Sequence, residues 1–317
     1  MELFAFVFPG QGSQVVGMGA DLAREFPAAR EVFETADRAL GQPISRLCWD
    51  GPADVLRHTA ITQPAVVATS LAAWRVLHGR GLMPALAAGH SVGEYAALAA
   101  AGVITIDDCL RLVARRGQLM QEAGEQRPGT MAAIFGLSLE QVESVCRQIE
   151  TLGCGVLEVA NLNSPEQIVV SGDALAVEKA ETIAREAGAR RFIPLAVSGA
   201  FHSSLMAGVA DHLAVDLDAV EFRQADFPVV ANVTAQPLVH PTEVRDALRR
   251  QVSSRVRWVE GIRAMLARGV STFVEIGPGT ALAGMIRKIQ RDVRVLNVQD
   301  AAGLLRTIDA LSTNVAG

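Results

Sequence analysis

An α/β fold built on a mostly parallel sheet is what the patterning of this chain predicts, and three observations carry the prediction. Short apolar runs alternate with amphipathic helical stretches through most of the 317 residues, the pattern of strands buried between helical layers. One serine, Ser91, stands in the turn Gly89-His90-Ser91-Val92-Gly93, with an apolar run before it and a helix-forming stretch after it. Between residues 129 and 197 the rhythm becomes strand, helix, strand, strand, helix, strand, a βαββαβ unit of the ferredoxin-like kind set inside the larger fold.

Residues 3–8 (Leu-Phe-Ala-Phe-Val-Phe) have no basic lead and are too few for a signal peptide, so they read as a first buried strand. The glycine-rich turn Pro9-Gly10-Gln11-Gly12-Ser13-Gln14 and helices up to about Leu77 follow. Residues 85–88 are a second buried strand, bounded by Pro84, and residues 94–101 are a strong helix former that stops at Gly102. A serine on such an elbow is held in a strained conformation with its hydroxyl pushed outward. Its flanks are glycine because side chains there would strike the strand and the helix. That elbow marks the main body as hydrolase-like. A helix over 106–124 completes the first part.

In the small unit, 131–137 reads as a strand and 139–151 as a helix capped by Ser138. Strands at 156–161 and 167–171 are joined by the turn Asn163-Ser164-Pro165-Glu166, then come a helix over 174–187 and a last strand over 191–197. The remainder carries a helix after His202, a strand at 229–233, and helices near 243–251 and 259–268. A strand at 272–276, the tight turn Gly277-Pro278-Gly279, a helix over 281–289 and a closing strand at 293–298 end the reading. The main body is therefore expected to be discontinuous, 1–128 and 198–317, with 129–197 as the small subdomain.

Half the residues are hydrophobic and the net charge is −5, which fits an ordinary globular protein with no broad attraction for nucleic acid or anionic membrane. No apolar run approaches the roughly 20 residues of a membrane span. The four cysteines and six histidines show no C-x-x-C pair and no metal-ligand spacing, so no metal is expected and the cysteines read as reduced and structural in a cytoplasmic protein.

Ser91 is either a nucleophile, with the helix after it aiming free N–H groups where negative charge would develop, or an ordinary tight turn. A nucleophile needs a base. His202, in a loop just after a strand, is the candidate; the alternative is a helix-start histidine with no role. His90 should point away from the serine, and His58, His78, His212 and His240 read as surface residues. Arg116 falls on the apolar arc of its helix with Cys109, Leu110, Leu112, Val113, Leu119 and Met120. A guanidinium there costs several kcal/mol unless an anion meets it. It is a snorkelling or ion-paired arginine, or a bidentate receptor for a substrate carboxylate. The turn after the first strand is no dinucleotide fingerprint, because Val15 stands where the third glycine belongs. Its backbone could instead bring an N–H toward the Ser91 cleft.

Together these segments closely resemble the malonyl-CoA:acyl-carrier-protein transacylases of fatty acid synthesis, from Phe6 to about Val298. The marks, in order, are the turn at Phe8–Gln14, Thr62-Gln63-Pro64-Ala65, the elbow continued by Glu94-Tyr95, Arg115-Arg116-Gly117, Asn161-Leu162-Asn163-Ser164-Pro165, Gly199-Ala200-Phe201-His202-Ser203 and Glu275-Ile276-Gly277-Pro278-Gly279. The resemblance implies Ser91 as nucleophile, His202 as base, the backbone N–H groups of Gln11 and Val92 as oxyanion hole, and Arg116 on the malonyl carboxylate. Gln251 matches the place whose main-chain carbonyl orients the histidine. Gln63 and Asn163 match cleft-lining positions. Phe201 matches malonyl-selective relatives, and Gly199 favours a free-standing enzyme over a synthase module. The implied partners are malonyl-CoA and acyl carrier protein, with no cofactor and a monomeric enzyme. Arg287, Lys288 and Arg291, or Arg190 and Arg191, are candidate carrier-docking residues or simply solvated faces. The motifs leave open a polyketide carrier or a malonate decarboxylase subunit. A serine hydrolase would need an acid between serine and histidine, where Asp173 is available but reads as a helix cap. A silent carrier-binding module fits poorly with Ser91, His202 and Arg116 all present.

Overall fold

The computed structural model describes residues 3–312; the outer limits expected for the main body, 1 and 317, lie outside them. The first apolar run becomes β1 (Leu3–Phe8), whose last four side chains are fully buried. A strand apolar on both faces belongs in the interior of a parallel sheet. Helices α1 (Ala20–Glu25), α2 (Pro27–Leu40), α3 (Ile44–Asp50), α4 (Ala53–Leu56) and α5 (Thr59–Gly79) lead to β2 (Leu86–Gly89), followed by α6 (Gly93–Ala100) and α7 (Ile106–Gln126). The small unit comprises β3 (Gly129–Phe135), α8 (Leu139–Thr151), β4 (Leu157–Ser164), β5 (Gln167–Asp173), α9 (Ala174–Glu186) and β6 (Arg191–Pro194). A 3₁₀ turn at Ser204–Met206 opens α10 (Ala207–Asp218), and β7 (Val229–Val230), β8 (Pro237–Leu238), α11 (Pro241–Gln251) and α12 (Trp258–Leu266) follow. The described chain ends with β9 (Val270–Ile276), α13 (Ala281–Ile289), β10 (Arg294–Val298) and α14 (Ala301–Ser312).

The main sheet has the order β10-β9-β1-β2-β7-β8, parallel except for the β7–β8 pair. Phe8 is in register with Gly89, so the glycine-rich turn after β1 and the elbow after β2 emerge side by side. Ligand crevices of open α/β sheets form at such carboxyl ends. The second sheet, β4-β5-β3-β6, is wholly antiparallel and has its own apolar core, centred on Ile134, Val142, Val170 and Ala180. It is tied to the main body where Leu162 N–H donates to Val256 O and Val256 N–H to Ala160 O. No helix among the described residues is long and apolar enough to cross a membrane.

Several local expectations are corrected. The strand expected over 191–197 ends at Pro194, and Leu195 and Val197 turn inward to line the cleft. The strand expected over 229–233 stops at Val230, because Ala231 closes a turn with Gln236 and Ala235 that carries Asn232 toward the elbow. Asp173 occupies the N-cap of α9 without capping it; its carboxylate accepts instead from the Arg127 guanidinium and from Val156 N–H. Ser138 does cap α8, in a reciprocal box with Gln141. The short strand β8 and the last helix α14 were not expected. α14 is signalled by Asp300, which accepts from Gly303 N–H, and it docks by Ala301 N–H on Asp21.

Candidate active site

Ser91 has φ +52°, in the left-handed region that non-glycine residues rarely occupy, at a cost of about 1–3 kcal/mol. Neighbours hold it there. Ser91 N–H donates to Asn232 Oδ1 at 2.7 Å, Asn232 Nδ2 donates to Gly89 O at 2.6 Å, and Gln251 Nε2 donates to Ser91 O at 2.9 Å. The flanking glycines are sterically required. A Cβ on Gly89 would lie 1.9 Å from the Gly93 carbonyl, and one on Gly93 would lie 2.2 Å from Phe8 O. Gly93→Ala is therefore expected to cost at least about 3 kcal/mol by forcing α6 off β1. Gly284→Ala, where a Cβ meets open space in α13, serves as the neutral control. Urea unfolding midpoints compare the two, and an unshifted midpoint for Gly93→Ala would mean that the elbow relaxes freely.

Ser91 Oγ lies 2.7 Å from His202 Nε2. His202 Nδ1 lies 2.9 Å from Gln251 O and 3.1 Å from Ser254 O, so both groups it faces are main-chain carbonyls. A carbonyl only accepts, so the proton sits on Nδ1 and Nε2 keeps its lone pair for the serine hydroxyl. His202 is itself at φ +59°, with its N–H donating to Val252 O. Burial, and then the charge of Arg116, push its imidazole down to about 3, so it is neutral at ordinary pH.

Arg116 is 1% exposed. Its Nη1 donates to Gln63 Oε1 at 2.7 Å; its Nη2 donates to Gln251 Oε1 and to Ser91 Oγ, each at 3.1 Å. Its Nε has no partner among the described residues. The guanidinium does not snorkel to solvent, and among the described residues it forms no ion pair; its contacts there are two amide oxygens, one hydroxyl and the face of Tyr95. Burial lowers its affinity for its proton, opposed by Tyr95 and Glu94. A buried cation given only neutral acceptors lacks a counter-charge in direct contact, which is costly in a low-dielectric interior.

These groups share a cavity of about 280 Å³, lined on its polar side by Gln11, Ser91, Arg116, Asn163 and His202 and on its apolar side by Val197, Phe201, Leu282 and Met285. Gln11 is fastened by its amide to Thr59 Oγ1, and Val92 stands immediately before α6. Asn163 Oδ1 is 2.8 Å from His90 Nε2, so His90 faces the small sheet and leans edge-on against Trp258. Phe201 is buried, and a Cβ on Gly199 would come within 2.4 Å of its ring. Of the candidate docking cations, Arg190 pairs with Glu166, Arg191 lies over Phe135, and Arg287 reaches Val295 O.

Three participants were not anticipated. Asn232 pins the elbow, the Ser254 carbonyl shares His202, and Glu94, 2% exposed, accepts from Gln251 Nε2 at 2.6 Å. Burial pushes the Glu94 carboxyl up to about 7, against the pull of Gln251, Asn232 and Arg116. A carboxylate in the first turn of an otherwise apolar helix was the available signal.

The acyl transferase domain family model matches residues 5–311. The chain is 42% identical over 311 residues to the malonyl CoA-acyl carrier protein transacylase of Bacillus subtilis (strain 168), covering 98% of each chain. It is 44% identical over 304 residues to the transacylase of the same name from Haemophilus influenzae, covering 95% of this chain and 97% of that one. Among solved structures it is similar to an acyl carrier protein S-malonyltransferase from Vibrio cholerae, with a TM-score of 0.92, 43% identity and coverage of 96% and 99%. It is likewise similar to a malonyl-transacylase in complex with a type II PKS acyl-carrier protein, with a TM-score of 0.94, 42% identity and coverage of 97% and 99%.

Proposed function

We infer, from the premise that the chain belongs to the acyl transferase domain family, that it moves a malonyl group from malonyl-CoA to the phosphopantetheine thiol of acyl carrier protein. The observation that carries this reading is Arg116, a buried cation with no carboxylate partner among the described residues, 3.1 Å from the hydroxyl of Ser91 in one cavity. The names and coverage of the relatives support the same substrate pair.

The chemistry follows from the contacts. His202 Nε2 takes the Ser91 proton as Oγ attacks the thioester carbonyl, and Gln251 O and Ser254 O steady the imidazolium that forms. Backbone N–H groups of Gln11 and Val92 receive the developing oxyanion, Val92 with the positive end of α6 behind it. The carbon–sulfur bond breaks, and the CoA thiolate leaves with the proton from His202. The carrier thiol then gives its proton to His202 and attacks the malonyl ester, and Ser91 recovers its proton. Arg116 holds the free carboxylate, with Gln63 and Gln251 keeping its fork in plane. Asn163 and Phe201 shape the acyl end of the cleft. These steps use only side-chain and main-chain groups, and we assign no cofactor.

We also read the order β4-β5-β3-β6 as a ferredoxin-like subdomain over 129–197, inserted into a hydrolase-like body of 1–128 and 198–317. The enzyme is taken to be a cytoplasmic monomer supplying fatty acid synthesis. A polyketide carrier is the second reading, favoured by the relative solved with a type II PKS acyl-carrier protein.

Intact-mass measurement after mixing with malonyl-CoA tests the proposal. The protein is expected to gain one malonyl group, lose it on addition of holo carrier protein, and gain none as Ser91→Ala. Acylation of Ser91→Ala would overturn the mechanism.

A further inference from the structure

We propose that Glu94 is the proton-exchanging counterpart of Arg116, taking up one proton when a carboxylated acyl group settles on the guanidinium and releasing it when the group departs. The inference rests on the malonyl reading of Arg116 and extends it to a residue without a place in the transfer chemistry.

The argument starts from the amide of Gln251. Its Oε1 accepts from Arg116 Nη2, so its amide nitrogen must face the other way. There it donates to Glu94 Oε2 at 2.6 Å and to Ser91 O at 2.9 Å. Glu94 Oε2 also accepts from Asn232 N–H at 3.3 Å. One neutral side chain thus connects a buried cation to a buried carboxyl group, and the same carboxyl group braces the elbow of the serine. With the cavity empty, an ionised Glu94 balances Arg116 across Gln251. A second carboxylate on Arg116 would leave two buried anions sharing one cation, a combination that low-dielectric surroundings disfavour. A proton on the other oxygen of Glu94 restores neutrality while both bonds at Oε2 persist.

The surroundings leave Glu94 as the group to respond. Strands β1, β2 and β7 contribute no ionisable side chain. Helix α5 carries only Arg75 and His78, near its far end, Arg75 exposed and His78 stacked on Trp74. From α7 come Arg116 itself and Cys109, and from α6 the neighbouring Tyr95; burial pushes the thiol and the phenol up, so both stay neutral. His202 reaches the network through Ser91 and is held neutral by burial and by Arg116. Gln251 from α11 and Asn232 do not titrate. Among these groups the Glu94 carboxyl, at about 7, is the one poised near neutrality.

The sign follows from mass action. Above about pH 7 the free protein holds Glu94 ionised and the malonyl-bound protein holds it protonated. Binding therefore takes up protons and weakens as pH rises, by up to about tenfold per pH unit. Below that range Glu94 is already protonated and the linkage vanishes.

Titration calorimetry of Ser91→Ala with malonyl-CoA and with CoA, in two buffers of different ionisation heat, measures the proton count. At pH 8 malonyl-CoA is expected to take up close to one proton more than CoA, and at pH 6 none. Adding Glu94→Gln is expected to abolish the difference at pH 8. Tighter binding of malonyl-CoA than of CoA with equal proton counts overturns the role of Glu94 and leaves the malonyl reading standing. Uptake that persists in Glu94→Gln also overturns it. Equal affinity for the two ligands, together with no malonyl adduct on the wild-type protein, instead removes the malonyl reading itself. Equal proton counts for the two ligands in Ser91→Ala overturn the role of Glu94 even if the double variant fails to fold.

Discussion

His202→Ala is expected to slow acylation of Ser91 by about 10⁴-fold, the upper range for loss of a positioned general base. The geometry leaves no substitute. His202 Nε2 lies 2.7 Å from the serine hydroxyl, and the other nearby nitrogen, Arg116 Nη2, can only donate. The wild-type pH profile should carry a matching signature. With the imidazole pushed down from 6.5 to about 3 by burial and by Arg116, kcat/KM should show no acid limb near 6.5 as pH is lowered. Stability moves differently. The unfolded histidine binds a proton below about 6.5 and the folded one only near 3, so the unfolded state gains protons first as pH falls. The contribution of neutral His202 is complete above 6.5 and is lost progressively down to about 3, amounting to a few kcal/mol. Rapid-quench acylation rates between pH 5 and 8, with thermal midpoints over the same range, check both. An activity limb at 6.5 would show that His202 is not shielded as its burial and neighbours require.

What the sequence disclosed and what it withheld divide along the length scale of the interactions. The elbow is legible because its requirements are local. Gly89 and Gly93 meet each other across a single turn, and the strand before and helix after are written in contiguous residues. Arg116 is legible from the wheel of its own helix, and the Ser138 cap from its place just before an amphipathic run, while the reciprocal bond from Gln141 was not anticipated. Asn232 is not, because its partner lies 141 residues away and nothing local distinguishes it from the polar end of a strand. Gln251 could be placed only by resemblance, and its double duty was hidden. Its carbonyl serves His202 while its amide joins Arg116, Ser91 and Glu94. Strand lengths failed for a different reason, since local turns cut both strands short: Val197 N–H donates to Leu195 O just past β6, and Ala231 closes a turn with Gln236 and Ala235 just past β7.

Arg116→Ala is expected to lower kcat/KM for malonyl-CoA by about 100- to 1,000-fold, the loss seen when one member of a desolvated charge pair is truncated. Acetyl-CoA should respond in the opposite sense. In the wild-type protein a neutral acyl group fills the cavity beside a buried guanidinium and supplies no counter-charge in return. Removing the cation removes that penalty, so the acetyl rate should rise even as the malonyl rate collapses. Arg116→Lys keeps the charge without the planar fork held by Gln63 and Gln251, and should fall between the two for malonyl while still rejecting acetyl. The comparison separates two roles that the contacts allow. Nη2 touches Ser91 Oγ directly, so a purely structural Arg116 would matter by steadying the nucleophile. A steadying role serves every acyl group alike, and parallel losses for malonyl and acetyl transfer would therefore assign it that role. A charge-matching role inverts the preference between them, and only an anion receptor at this position produces that inversion.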